Sequence, residues 1–268
     1  MNPRRYTILL SLAALLAQLP APAHATSPFP YDLRTGREAT LAATGTSLLL
    51  TSLILAHDNT PLTPAELAAL DVNALPSLDR AATRRWLPGA AKASDRLVTA
   101  LTIAPLAVAA IGPGRERGGR VALMYAETML LSGGATALLK HAVARPRPFT
   151  YNDDARIDPE LRLSGMARRS FPSGHTAQSF AAMVFLATVH GKLQPRGEGW
   201  VWAGCLGAAA TVGWLRYEAG YHFPTDILAG AAIGATAGWL VPHLHELDEG
   251  STTAAPVEGV RIGVGFAF

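Results

Sequence analysis

The chain has 268 residues, 49% of them hydrophobic and only 16% charged, with a formal net charge of +3. That charged share lies well below the roughly 25% of a soluble domain, and a mean hydropathy of +0.20 with a pI near 9.2 points to apolar helices joined by basic loops. No basic patch interleaved with aromatics is present, which excludes a nucleic-acid partner, and the single cysteine, Cys205, excludes an internal disulfide and a cysteine metal site.

Residues 1–25 resemble a secretory signal or N-terminal anchor, with Arg4 and Arg5 before an apolar stretch at 8–19 and Ala23-His24-Ala25 as an Ala-x-Ala cleavage site. This implies a bacterial envelope or secreted protein. Residues 26–96 then hold a first apolar helix at 39–56 and a polar interfacial connection. In that connection Thr63-Pro64-Ala65-Glu66 is a helix start with Thr63 as its cap. Arg80, Arg84, Arg85, Trp86 and Lys92 read as a basic surface at the headgroup level, with no chemistry assigned.

Five further apolar segments follow at 97–112, 121–139, 175–190, 200–215 and 227–240, within a helical core expected to occupy 97–247. None alternates as a strand does, so all are expected to be helices, with Pro242 stopping the last. Their lengths are at or below the ~20 residues that cross a hydrocarbon core. Gly133-Gly134, and Gly230, Gly234 and Gly238 at four-residue spacing, let such helices pack closely. Cys205 reads as a small core residue. The fold class expected is all-α, a six-helix bundle embedded in a membrane. Residues 248–268 form a linker and a strand-like C-terminal tail, because large apolar residues occupy every second position from Val260 to Phe268. His243 and His245 follow Pro242 with nothing nearby to complete a ligand set, and read as interfacial residues.

Three clusters of chemically able residues lie at ends of these segments. Lys140 is followed by Arg147-Pro148; Ser173, Gly174 and His175 open the fourth; Arg216, His222 and Asp226 bridge the fifth and sixth. Singly, each has an ordinary explanation: snorkelling cations, a loop histidine, an acid in a first helical turn.

Together they make a coherent anion site. Lys140, Arg147 and Arg216 can surround a phosphate, arginine as a planar fork and lysine as a point charge. Ser173 and the Gly174 N–H add hydrogen bonds at a helix N-terminus. Two histidines then divide a phosphoryl transfer between nucleophile and proton donor. His222 has Asp226 four residues on to orient its ring, so His222 is the expected nucleophile and His175 the general acid. Three positive side chains serve where many phosphoryl-transfer enzymes use Mg²⁺, so neither metal nor cofactor is called for.

Lys140-x6-Arg147-Pro148, Pro172-Ser173-Gly174-His175 and Arg216-x5-His222-x3-Asp226 resemble the three-part signature of the type-2 phosphatidic acid phosphatase superfamily, which also holds bacterial class A acid phosphatases and vanadium haloperoxidases. The resemblance covers roughly 97–240, and departs from the family pattern where Leu215 stands in place of the usual serine before Arg216. It implies a phosphohistidine at His222, protonation of the leaving group by His175, and phosphate held by the cations with Ser173 and Gly174. Membrane members dephosphorylate lipid phosphates or diphosphates without metal, so the resemblance implies a lipid phosphate substrate: phosphatidate, phosphatidylglycerophosphate, undecaprenyl diphosphate or a lipid A phosphate. The alternatives are a non-membrane periplasmic acid phosphatase, a vanadate-dependent haloperoxidase and a catalytically silent envelope protein.

The expected location is the bacterial inner membrane, multi-pass, with the site facing the periplasm. Arg115, Arg117 and Arg120 in one short connection and Lys192 and Arg196 in another favour the cytoplasm, opposite the site. A cleaved signal followed by a spanning 39–56 segment gives the reverse orientation, and an uncleaved signal or a non-spanning first segment resolves the conflict.

Overall fold

A computed structural model of the chain describes residues 29–57, 60–111 and 115–247; the signal at 1–25 and the strand-like tail lie outside the described residues. Six long helices form the body: α1 Thr35–His57, α4 Pro88–Ile111, α5 Arg115–Val143, α7 Gly174–Leu193, α8 Glu198–Glu218 and α9 Pro224–Leu244. Three short ones lie in the connections: α2 Pro64–Ala68, α3 Ser77–Arg80 and α6 Pro159–Arg162. The described residues thus hold nine α-helices where the apolar segments gave six, because the short ones are polar and leave no hydropathy signal. The only β pairing among the described residues is an isolated antiparallel bridge between Tyr31 and Glu246.

Two boundaries differ from expectation in ways that matter. Helix α4 begins at Pro88 rather than 97, so that the polar residues Ser94 and Asp95 are part of a helix. Helix α9 runs through Pro242 to Leu244. In the last turn a proline forfeits one hydrogen bond and little continuation, so it is tolerated there. The capping box at Thr63 is present, Thr63 Oγ1 accepting from Glu66 N at 3.2 Å and Glu66 Oε2 accepting from Thr63 N at 2.8 Å.

Helix α7 is the centre of the bundle: Ala177, Ala181, Ala182, Phe185 and Val189 are all buried, and so are residues on its other faces. Helix α9 lies directly on it. A Cβ at Gly230 would come within 2.4 Å of Ser173 O, one at Gly234 within 2.1 Å of Ala177 O, and one at Gly238 within 2.6 Å of Ala181 O. The glycine stripe is therefore what brings the two backbones into contact. Cys205 is buried in the same core.

Among the described residues, four helical stretches are long and apolar enough to cross a membrane: Thr35–Ala56, Pro88–Ala110, Glu116–Tyr151 and Pro224–Leu244. On α1, Leu53 and Ile54 are 66% and 70% exposed, an outward apolar face that water would penalise.

Trp86 is half-buried, stacked on Tyr221 with centroids 6.1 Å apart and edge-on to Phe149. One interfacial reading is corrected by burial. His245 is fully buried, and Glu38 and Glu127, remote in sequence, converge on it. Helix packing brings these three together, which no local spacing reveals.

Candidate active site

Main-chain hydrogen bonds pin the three motif segments to one another at one end of the bundle. Ser170 N donates to Arg145 O at 3.0 Å and Arg147 N to Ala167 O at 2.8 Å. Phe149 N donates to Gly220 O at 3.0 Å, and Ser173 N to Asp226 O at 2.9 Å. Lys140 adds a side-chain clasp, its Nζ donating to Pro172 O at 2.7 Å and Arg169 O at 3.0 Å. The turn into His222 needs glycine at 220: its φ is +73°, and a Cβ there would lie 2.2 Å from Arg85 O.

His222 sits in that turn, 1% exposed. Its Nδ1 lies 2.7 Å from the carbonyl oxygen of Ser170. A carbonyl can only accept, so Nδ1 carries the proton and Nε2 is left with its lone pair. Burial first, then the charges of Arg147, Lys140 and Arg216, hold its pKa well below the usual 6.5. The result is a neutral imidazole with a free nucleophilic nitrogen.

Asp226 does not do what its spacing suggested. Its Oδ2 is 3.7 Å from His222 Nδ1, beyond a hydrogen bond. Instead Oδ2 accepts from Phe223 N at 2.9 Å and Ser170 Oγ at 2.5 Å, and Oδ1 accepts from Arg145 Nη1 at 2.6 Å. It caps α9 and fixes Ser170, whose carbonyl in turn holds the histidine. Arg145 is the partner that makes a buried Asp226 tolerable. Its other nitrogen reaches Asp79 Oδ2 at 2.7 Å, and its guanidinium lies 4.0 Å from the centroid of Phe223. Asp79, fully buried, also accepts from Thr225 N at 3.1 Å and Thr225 Oγ1 at 2.7 Å.

Arg147 and Arg216 are brought together over one ring, 5.0 and 4.5 Å from the centroid of Tyr221. Arg147 Nε donates to Met166 O at 3.0 Å, while Arg216 Nη1 donates to Ser94 Oγ at 3.2 Å and Asp95 Oδ1 at 3.3 Å. Arg147 Nη1 and Arg216 Nε are buried with no partner. Ser173 is the N-cap of α7, but its hydroxyl pairs with Thr176 Oγ1 at 2.8 Å rather than a backbone N–H. The N–H groups of Gly174 and the residues after it, in the first turn, have no intrahelical acceptor. His175 Nε2 lies 2.8 Å from Asp95 Oδ1, and its side chain is 31% exposed at the rim of the site.

Sequence reasoning missed Asp79, Ser94, Asp95 and the structural weight of Arg145. Asp79, Ser94 and Asp95 come from the 57–96 connection, which was read as surface. A signal was available in the second Arg-Pro pair at Arg145-Pro146; none was available for the acids, which are matched to their partners only by the fold.

A buried histidine, unpaired guanidinium N–H groups and a helix N-terminus thus meet at one end of an apolar helical bundle. Residues 121–248 match the PAP2 superfamily, so the resemblance carried by the three motifs is borne out over that core. Among curated relatives, the chain is 36% identical over 126 residues to lipid phosphate phosphatase 1 of Arabidopsis thaliana, covering 40% of this chain and 38% of that one. It is 32% identical over 108 residues to lipid A 1-phosphatase of Rhizobium johnstonii, covering 40% and 41%. To lipid A 4'-phosphatase of Bacteroides thetaiotaomicron it is 34% identical over 95 residues, covering 35% and 40%. The matched region thus spans about two fifths of the length of these relatives. Among solved structures, a transmembrane PAP2-type phosphatidylglycerolphosphate phosphatase from Bacillus subtilis aligns with TM-score 0.45 and 24% identity, covering 75% of this chain and 95% of that one.

Proposed function

We propose that the protein is a multi-pass membrane phosphatase that hydrolyses a phosphate monoester or diphosphate on a lipid, without metal, through a phosphohistidine at His222. One observation carries the reading: Arg147 Nη1 and Arg216 Nε are buried donors without acceptors, beside a histidine whose tautomer leaves Nε2 bare. Two unsatisfied cationic N–H groups are costly unless an anion completes them, and a phosphate does so.

In the reaction, His222 Nε2 attacks phosphorus while the bond from phosphorus to the lipid oxygen breaks. His175, whose pKa burial and Arg216 lower to about 4 against the opposing pull of Asp95, is protonated when the anionic phosphate is bound and gives that proton to the departing oxygen. Water then attacks the phosphohistidine, losing a proton to His175, and inorganic phosphate leaves with His222 restored. Lys140, Arg147, Arg216 and the first N–H groups of α7, from Gly174, neutralise the transferring group, while Ser173 fixes the start of that helix. Asp226 acts through Ser170 rather than directly on His222.

The named relatives act on lipid phosphates and lipid A phosphates, and the outward apolar face of α1 suits a substrate that arrives from within the bilayer. The inner membrane of a bacterial envelope, with the site open to the periplasm, is the location that fits Arg117 and Arg120, which lie in the first turns of α5 rather than in a loop, at the end of that helix away from Lys140. The test is a panel of lipid phosphates with purified enzyme, with and without chelator. His222→Ala is expected to lower phosphate release by at least a thousandfold and to abolish acid-labile ³²P labelling. Wild-type release by that variant sinks the proposal. Cysteine accessibility of residues 113–120 in intact cells, in a chain lacking Cys205, decides the orientation.

A further inference from the structure

We infer that Glu38, Glu127 and His245 form a binding site for a divalent first-row cation such as Zn²⁺, which staples the first and last helices of the bundle to α5. His245 lies 19 residues after Asp226 along α9 and its cap, about 28 Å at 1.5 Å per residue, so the site is separate from the phosphatase end.

Three lone pairs converge there. His245 Nδ1 is 2.8 Å from the carbonyl of Val241, which can only accept, so Nδ1 carries the proton. Its Nε2 faces Glu38 Oε2 at 2.9 Å and Glu127 Oε2 at 3.3 Å, and in the neutral ring that nitrogen is a bare lone pair. All three ligand atoms lie within 4.8 Å of one another. Acceptors facing acceptors at these distances need protons or a cation between them, and three ligand atoms converging on one point suit a cation.

A second proton on His245 alone serves Glu38 and leaves Glu127 Oε2, in a residue 4% exposed, without a hydrogen-bond partner, so a metal-free set needs a further proton on Glu127 as well. A divalent ion accepts from all three. Ligand bonds of about 2.0–2.2 Å place neighbouring donors roughly 2.9–3.4 Å apart, the spacing of His245 Nε2 from each carboxylate oxygen. The imidazole has the outer support that metal-bound histidines have, its other nitrogen anchored on a main-chain carbonyl. Arg37 engages the opposite oxygen, Glu38 Oε1, at 3.1 Å, which orients that carboxylate with Oε2 toward the cluster. One imidazole with two carboxylates suits zinc or manganese better than a soft ion or calcium.

The experiment uses the untagged full chain in detergent, stripped with a chelator and then offered Zn²⁺ alone. The expected result is one zinc retained per chain after gel filtration. A hundredfold excess over Kd should raise the melting temperature by roughly 5 °C. Glu127→Gln and His245→Gln, each checked for a cooperative melt in chelator, are expected to lose both effects, while His222→Ala keeps them. No zinc retained by the wild-type chain, or equal retention by Glu127→Gln and Glu38→Gln, overturns the inference. Because the readouts are metal content and melting, failure of the phosphatase reading leaves them untouched.

Discussion

The ring of His222 is held by the main-chain carbonyl of Ser170, 2.7 Å from Nδ1, and not by the carboxylate four residues on. The orienting group is thus one that no side-chain substitution at 170 removes. Ser170→Ala is expected to keep kcat within about tenfold of wild type while losing the hydroxyl bond to Asp226, at a stability cost of about 1–2 kcal/mol. Thermal melts and lipid-phosphate kinetics on the same preparation check both halves. A folded Ser170→Ala protein with no activity would contradict the assignment.

The charge state of His222 gives a pH signature. Its folded pKa lies well below 6.5 because of burial and the surrounding cations. The unfolded chain therefore takes up a proton as pH falls through about 6.5, and the folded chain does not. Stability contributed by the neutral ring is present above that value and lost below it. Histidine ¹⁵N spectra should show His222 still neutral at pH 5.5, and the melting temperature should fall more steeply with acid than in His222→Asn. A ring titrating near 6.5 would contradict the buried cationic setting.

Asp95 is a positioning residue for His175 and Arg216, reached by both at the start of α4. Asp95→Asn keeps the shape and removes the charge. Without the carboxylate the protonated form of His175 is less favoured, so the basic limb of the kcat profile should move to lower pH and kcat should fall roughly 10–100-fold. KM should change far less. A uniform loss with an unmoved pH profile would indicate a structural role alone.

Much of this arrangement was legible before any fold was known. The order of Lys140, Arg147, Ser173, His175, Arg216, His222 and Asp226 marked the site because each sits beside a helix end, where local sequence records its own structure. The six long helices were legible because apolar runs report burial or lipid. Asp79 and Asp95 were not, since an acid's partner is chosen by packing across the bundle. The division of labour between Ser170 and Asp226 was also hidden. A spacing of four places a carboxylate near a histidine, and the remaining ångström is set by how α9 enters from its cap.

The glycine stripe of α9 carries a prediction about geometry. Gly234→Ala would set a Cβ 2.1 Å from Ala177 O, a main-chain atom in the central helix that has no room to retreat. Separation of α7 and α9 is expected to cost about 1–3 kcal/mol and to pull His222 and Asp226 away from Ser173. Melting temperature and kcat should therefore fall together, whereas Gly133→Ala, where an added Cβ meets nothing within 4 Å, should leave both unchanged.

Every main-chain tie between the motif segments lies at one end of the bundle, while the connection from Leu193 to Glu198 lies at the other. The order in which the chain visits its helices is thus separable from the chemistry. A polypeptide opened at Pro195-Arg196, with new termini there and its old ones joined, would bring the same cations and histidines together, because contact between helices rather than continuity of chain assembles the pocket.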